Sequence, residues 1–530
     1  MEKDRISFLK ECQNAVKVSR DTLYKILRDN EDTEYGRKYN FAGITDLDDY
    51  RKLPITDYED YKDSVKRMIA GEENILTSYR MEYFLTSSGS TKQKLIPITD
   101  KGLTNGFDVF YNVALPDDKE WEGAKHLHTS MVRTDKTQKQ TFLSNAHFWN
   151  VRETNPGFFD KFVGGEEFMF SNEIADSWYV KLWLALSEPE LKSIYSIYQY
   201  DILLLFQYFK EHWREILRDM ENKSIPEEVH ISCTMKEKLL KRPLPERDWF
   251  IFVRKECEKG FEGIGKRIWK NLCMINGIGG QVFGTQGQIL RSFLGDVKIH
   301  YFAYASSEAP IGIALGEEDD SYVYIPHSCF LEFVDVEDEK QSVRWIDEVE
   351  VGKKYEILVT NLSGFYRYRL QDVVEVTGFY GQSPMMRFAF RKNQAVNIAG
   401  EKTNLSMIAD AVRECVVFFQ EDITEHSVCI DETVMPNRYC FFLEGKYKNA
   451  KEDYGRFLDA SLSEKNNDYE DLLQLGQIAP CVCIHVEDGS HAAWKTKLGM
   501  KGHSKPLQFS DAMDFHKFMM ERERKVETKK

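Results

Sequence analysis

The sequence predicts a mixed helix-and-strand protein, layered as α/β or α+β, with a smaller domain at the C-terminal end. Three observations predict it. Apolar residues recur near every 3.6 positions in the first thirty residues, and a second helical pattern runs through 57–70. From Asn276 the chain changes to short alternating apolar segments with short connections. A basic turn of Arg391, Lys392 and Asn393 then separates two strand-like runs and places a boundary near 390–394.

The elements follow in order. Ile6, Leu9, Val16, Leu23 and Leu27 mark the opening helical pattern, and Gly36, Asn40 and Gly43 mark a turn-rich segment after it. Residues 83–98 read as strand EYFLT, polar loop SSGSTKQK and strand LIPI. Residues 182–220 read as long helices rich in aromatics, among them Trp183, Tyr195, Tyr198 and Trp213. The segments GGQVFG, VKIHYFAYAS, YVYIP, CFLEFVDV, YEILVT, GFYRYRL and DVVEVTGFY each read as strands. Beyond the boundary come a helix around 407–418 and further strands, and no internal repeat is visible.

Composition excludes several classes. The 530 residues correspond to about three to four domain-sized units. With 42% hydrophobic residues, 30% charged, 32 glycines and 14 prolines, the chain is neither disordered nor collagenous. A net charge of −15 repels phosphate backbones and argues against nucleic-acid binding, while leaving room for a local basic pocket for a nucleotide. No apolar run approaches the ~18 residues of a membrane span, since Asp201 and Gln207 break the richest one at 200–208. The opening MEKDRISFLKE is charged and helical, unlike a signal peptide. The ten cysteines contain no C-x-x-C pair and suit free thiols in a reducing cytoplasm. Cys481 and Cys483 alternate on a strand pattern and should point the same way.

Four segments could carry chemistry. The loop Ser87, Ser88, Gly89, Ser90, Thr91, Lys92, Gln93 and Lys94 offers hydroxyls, backbone N–H groups and charge to phosphate oxygens, although it is not a Walker loop. Its plain alternative is an ordinary polar turn. In Tyr304-Ala305-Ser306-Ser307-Glu308, a carboxylate closes a strand. It suits a Mg2+ ion already held by phosphates, and is otherwise a surface glutamate. Asp372, ending YRYRLQD, could accept both hydroxyls of a ribose, or could form a cross-strand Arg–Asp pair. Gly400 permits a turn that would deliver Lys402 to a cleft, or simply a solvated hairpin tip. His126 and His128 lack a third metal ligand nearby, and neither G-x-S-x-G nor H-E-x-x-H occurs.

Taken together, SSGSTKQK, YASSE, YRYRLQD, FRKN and GEKT resemble, in this order, the acyl-acid amido synthetases of the plant auxin-responsive family and their bacterial relatives. These belong to the adenylate-forming enzyme superfamily. LPITDYEDYKD, IWKNL, CFLEF, VGKKYEILVTNLSGFYRYR and GHSKPLQF look like family segments as well, so the resemblance spans nearly the whole chain. It implies an α/β fold with a large N-terminal adenylation domain over 1–391, in which helices sandwich β-sheets beside a β-barrel-like part. A smaller mobile α+β domain over 392–530 would follow.

The resemblance also implies roles. Ser87, Ser88, Gly89, Ser90 and Thr91 match the phosphate loop, and Ser307 and Glu308 match the end of the second motif, with Glu308 near Mg2+. Asp372 and Arg391 match the ribose contacts, and Lys392 the interdomain hinge. Lys402 matches a lysine that approaches the α-phosphate, and Lys505 a late lysine engaged during adenylation. Two departures stand out: Gln371 where the third motif usually has glycine, and Gln93 in place of a glycine after the loop hydroxyls.

The activity implied is adenylation of a carboxylic acid by ATP and transfer of the acyl group to an amino acid. A coenzyme A or other thiol ligase, or a degenerate nucleotide binder, are the alternatives. Such chemistry needs positioning and charge stabilisation rather than a protein nucleophile. The expected partners are small molecules only, with no nucleic acid or membrane, in a cytoplasmic protein that favours the monomer.

Overall fold

The computed structural model describes residues 2–86, 94–106, 109–110, 125–129, 134–137, 140–143, 148, 151–152, 157–170, 177–279, 284–316, 318–338, 342–392, 398, 403, 405–434, 436–447, 451–474, 478–498 and 513–524. Helices Glu2–Gln13 and Ala15–Asp29 open the chain. Leu23 and Leu27 are buried as their spacing predicts, whereas Ile6 faces solvent. Helix Tyr58–Ile69 starts where its sequence says it should. Asp57 accepts from the Glu59 N–H at 2.8 Å and Asp60 accepts from the Asp57 N–H at 2.8 Å, a reciprocal cap of two orphan donors.

Two large sheets organise the N-terminal part. A parallel sheet runs Lys125–His128, Leu191–Tyr198, Met274–Ile278, Lys298–His300, with Ser177–Leu186, Gln199–Glu221 and Gly284–Leu294 among its covering helices. An eight-stranded antiparallel sheet runs from Val343–Arg344 at one edge through Phe330–Asp335, Lys354–Thr360, Tyr368–Tyr380, Ser383–Arg391, Tyr322–Tyr324 and Pro310–Ala314 to Ala303–Ala305 at the other. This open sheet is the counterpart of the barrel-like part. A third sheet holds the hairpin Met81–Thr86 and Leu95–Thr99, with Thr86 paired to Leu95 across its base.

The C-terminal part is a three-stranded sheet of Asp422–Asp431, Arg438–Lys446 and Val482–Val486. Helices Leu405–Phe419 and Lys451–Lys465 cover one face, and Ser490–Lys497 and Met513–Met520 the other. Cys481 and Cys483 lie in the same apolar cluster, as their alternation predicts. All ten cysteines are free. Among the described residues no helix is long and apolar enough to cross a membrane.

Three expectations change. The aromatic stretch read as helix contains the strand Leu191–Tyr198, central in the parallel sheet and buried along nearly its whole length. A strand covered on both faces loses the alternation that distinguishes it from a buried helix. VKIHYFAYAS is not one strand: Lys298–His300 ends the parallel sheet and Ala303–Ala305 begins the antiparallel one. GFYRYRL becomes strand only at Tyr368, because Gly364 and Arg367 have positive φ in the preceding turn. The GGQVFG segment lies outside the described residues except at its ends, Gly279 and Gly284, and Gly284 already opens a helix.

Candidate active site

Residues distant in sequence converge where the antiparallel sheet meets the hairpin of Met81–Thr86 and Leu95–Thr99. Asp372 on Tyr368–Tyr380 is the direct cross-strand partner of Arg391, the last residue of Ser383–Arg391. The Asp372 Oδ1 lies 3.7 Å from the Arg391 Nε, and Oδ2 accepts from the Tyr304 hydroxyl at 2.9 Å. The cross-strand Arg–Asp pair weighed as an alternative is therefore present, and it joins two of the residues assigned to the ribose. Arg391 also donates to the Leu370 carbonyl at 3.3 Å.

Glu308 lies half-buried in the tight connection between Ala303–Ala305 and Pro310–Ala314, beside Ser306 and Ser307. The Ser306 N–H donates to the Ala309 carbonyl at 3.0 Å, which closes the turn. Asn361 clamps the turn from the next connection, donating Nδ2–H to the Glu308 carbonyl at 2.8 Å. Its Oδ1 accepts from the Ser363 and Phe365 N–H groups at 2.9 and 3.0 Å, so the clamp is itself rigid. Tyr368 and Lys94 complete the group: Lys94 Nζ donates to the Tyr368 hydroxyl at 3.2 Å. The family segment LPITDYEDYKD supports this arrangement, since the Tyr58 hydroxyl accepts from the Leu95 N–H at 2.9 Å and its ring lies under Lys94.

The electrostatics confirm one shared field. Burial pushes the Lys94 ammonium down, and Glu308 pulls against it. Burial also works against the Arg391 charge, but Asp372 and Glu308 hold the guanidinium above its ordinary range. Burial raises the Tyr304 and Tyr368 hydroxyls, with Asp372 raising Tyr304 further and Glu308 raising Tyr368 further. Both phenols therefore stay protonated and act as donors. One carboxylate on a turn, facing cations and phenols, fits an anionic ligand carrying its own Mg2+, because such ions take only one or two protein carboxylates.

Gln371 occupies the position where glycine was expected, and its φ is +67°. The strand bulges there: Leu358 pairs with Arg369 and Glu356 with Val373, leaving Leu370, Gln371 and Asp372 opposite one residue. The backbone turn that favours glycine is retained with a side chain present. The departure therefore does not remove the geometry that presents Asp372.

The other charged residues of YRYRLQD serve the framework. Arg367, 3% exposed, donates to the Glu332 carboxylate and, at 2.6 Å each, to the carbonyls of Arg51 and Leu53. Glu356, 1% exposed, pairs with Arg369 and, at 3.0 Å, with Lys392, which ties the first residue after the strand to the sheet. His126 shares a hydrogen bond with the Ser193 hydroxyl at 2.8 Å, and His128 packs on Phe148, Phe162 and Tyr195.

The structure thus brings Glu308, Asp372 and Arg391 together, with Ser307 beside Glu308. Ser87, Ser88, Gly89, Ser90, Thr91, Lys402 and Lys505 lie outside the described residues. Lys94 was read from the sequence as a charge of the loop, whereas Tyr304 and Tyr368 were given no role there. All three stand inside the quoted motifs, and a motif alone does not say which of its side chains point inward.

The chain matches known proteins along most of its length. The GH3 family N-terminal domain matches residues 5–299, the GH3 family central domain residues 322–391 and the GH3 family C-terminal domain residues 407–506. The indole-3-acetic acid-amido synthetase GH3.3 of Arabidopsis thaliana is 26% identical over 475 residues, covering 83% of this chain and 78% of its own. The solved structure of the GH3.15 acyl acid amido synthetase superposes with a TM-score of 0.85 at 22% identity, over 98% of this chain and 96% of its own. A 2-hydroxyisobutyryl-CoA ligase in its postadenylation state superposes with a TM-score of 0.53 at 12% identity, over 98% and 92%. The fold is therefore that of the adenylate-forming enzymes, and the resemblance seen in the motifs holds over the length of the chain. This chain belongs to the GH3 family.

Proposed function

We propose that this protein is an ATP-dependent acyl-acid amido synthetase. It adenylates a carboxylic acid and passes the acyl group to the amine of an amino acid. The observation that carries this reading is the convergence of Glu308, Asp372 and Arg391, three motif residues from separate segments, beside the loop end of the hairpin that bears the hydroxyl-rich segment. The names of the relatives supply the amide chemistry, and indole-3-acetic acid is the first acid to assay.

In this reading Asp372, aimed by Tyr304, accepts the ribose hydroxyls, and Arg391 flanks the same sugar. Glu308 serves the phosphates and their Mg2+, which supplies charge neutralisation there. Ser87, Ser88, Gly89, Ser90 and Thr91 donate to phosphate oxygens, and Lys402 approaches the α-phosphate. The acid's carboxylate attacks the α-phosphorus, pyrophosphate leaves, and a neutral amine then displaces AMP. No side chain forms a covalent intermediate, and catalysis comes from orientation and charge stabilisation. Residues 1–391 form the adenylation domain, and 392–530 form a domain that moves between the two half-reactions and brings Lys505 to the first. The protein works in the cytoplasm on small molecules.

The test is acid-dependent exchange of labelled pyrophosphate into ATP, followed by hydroxylamine trapping and then amino acids against coenzyme A as acceptors. Exchange with amide formation supports the proposal. Thioester formation assigns the chain to the thiol ligases, and no exchange across aromatic, aliphatic and amino acids makes it a nucleotide binder without turnover.

A further inference from the structure

A cleft of about 250 Å3 opens at the edge of the parallel sheet away from the site described above. Lys125 is the first residue of its strand and pairs with Leu191, the first residue of the next, so the cleft sits where these strands begin. The Tyr304 and Glu308 cluster instead follows the end of Lys298–His300, where strands of this sheet finish. The two places are at opposite edges. A ligand in the cleft would not occupy the position, beyond the carboxyl ends of the strands, where open α/β sheets bind their substrates.

Four charges line the cleft: Lys125 and Arg242, Asp160 and Glu188. Among the described residues none of them has an opposite charge within 4.0 Å, although nearby Glu167 is held by Lys238 at 2.5 Å. Arg242 is half-buried, and its Nε is fully buried with no hydrogen-bond partner. Burial accordingly pushes this guanidinium down, with Glu188 and Glu167 opposing from a distance. The guanidinium lies over the Phe168 ring at 5.6 Å, which leaves the buried Nε–H unmet. Such an orphaned donor is costly, and a carboxylate that meets the guanidinium edge-on removes that cost with two parallel bonds.

The lining is electrically balanced, two cations against two anions, which disfavours a simple anion or cation. A molecule carrying both charges matches it. Phe162 and Val163 line the cleft and also a neighbouring space of about 20 Å3, whose other walls are Phe168, Met169, Val180 and Leu184 together with His128 and Lys181. That space admits about a methyl group or a water. The cleft is smaller than the ~300–1,000 Å3 of sites for drug-sized ligands.

From this we infer that the cleft is a second ligand site, which binds a small apolar α-amino acid. The α-carboxylate lies against Arg242 and Lys125, the ammonium faces Asp160 and Glu188, and a short aliphatic side chain packs on Phe162 and Val163. Binding there needs neither ATP nor turnover, so it stands apart from the proposed activity.

The test is equilibrium dialysis of the full chain, without ATP, against labelled alanine, valine and leucine. At least one should bind, at one molecule per chain, and Arg242→Gln and Glu188→Gln should each weaken it at least tenfold. Asp372→Asn should leave it unchanged, and acetate or ethylamine alone should not compete at equal concentration. If Arg242→Gln fails to melt cooperatively, the exposed pair Lys125→Met and Asp160→Asn must show the same loss. Absence of binding at millimolar amino acid overturns the inference. So does binding that survives the cleft variants or disappears with Asp372→Asn.

Discussion

Asp372 and Arg391 face each other as direct partners on neighbouring antiparallel strands, and the Tyr304 hydroxyl holds the carboxylate oxygen turned away from the guanidinium. Tyr304 is thus a positioning residue for Asp372. Tyr304→Phe removes one hydrogen bond to a charged group, which costs about 1.5–3 kcal/mol when fully expressed. If Asp372 holds the ribose as proposed, its contacts are similar in ground and transition states, and the loss should raise KM for ATP roughly five-fold or more and leave kcat nearly unchanged. Asp372→Ala should raise KM further. Initial rates of pyrophosphate exchange check both, and a fall in kcat at constant KM would refute the assignment.

Glu308→Ala should behave differently. In the proposed reading it serves charge that develops at the phosphates, so kcat should drop by about tenfold or more and the Mg2+ concentration for half-maximal rate should rise. Glu308→Gln keeps the turn and its clamp from Asn361 while removing the charge. Equal Mg2+ dependence in Glu308→Gln and the wild type would place Glu308 outside the metal's reach.

Gln371 holds φ at +67° in the bulge before Asp372. A left-handed conformation costs a side-chain-bearing residue roughly 1–2 kcal/mol, and glycine gives back about 0.5–1 of that through its freer unfolded chain. Gln371→Gly should therefore be more stable than the wild type by up to about 1 kcal/mol, whereas β-branched Gln371→Val should be less stable by at least about 1 kcal/mol. Urea midpoints decide the point; a Gln371→Val midpoint at or above that of the wild type contradicts it.

Lys392 is bound to Glu356 at 3.0 Å where the chain leaves the large sheet. If the chain hinges there, Lys392→Pro fixes φ and should slow overall turnover more than either half-reaction measured alone. Lys505→Ala should slow adenylate formation while sparing amide formation from a supplied acyl-adenylate. Single-turnover assays of the two halves separate these outcomes, and equal losses in both halves for Lys505→Ala would remove that lysine from the adenylation step.

Two buried histidines set a pH dependence of stability. Burial, with Lys161, Lys192 and Lys125 nearby, pushes His126 down to about 3, and burial pushes His426 down to about 4. Both are bases that the fold keeps neutral. Their contribution is complete above the unfolded pKa of about 6.5 and is lost as pH falls from there toward the folded values. Between pH 7 and pH 5 each should cost on the order of 2 kcal/mol. His126→Gln should flatten the loss of urea midpoint over that range; an unchanged slope would mean that His126 titrates normally.

Much of the local structure was legible because it depends on neighbours in sequence. Asp57 and Asp60 cap the Tyr58–Ile69 helix from three residues apart, and the alternation of Cys481 and Cys483 put both in one apolar cluster. The strand Leu191–Tyr198 was hidden for the opposite reason. It is buried on both sides: Leu191 and Ile194 pack with Ser177–Leu186 and Gln199–Glu221, while Tyr195 and Ile197 pack with Phe159 and Phe302.

The sequence by itself determined the family, the motif residues and their order, since each is written in residue types at fixed spacing. Only the tertiary structure decided that Asp372 answers to Tyr304, that Lys94 and Tyr368 share a field with Glu308, and that Arg367 and Arg369 belong to the framework. It also decided that Gln371 keeps the turn of a glycine. The contacts among them span 13 to 274 residues of chain, and they arise from strand register and burial, which no local pattern encodes.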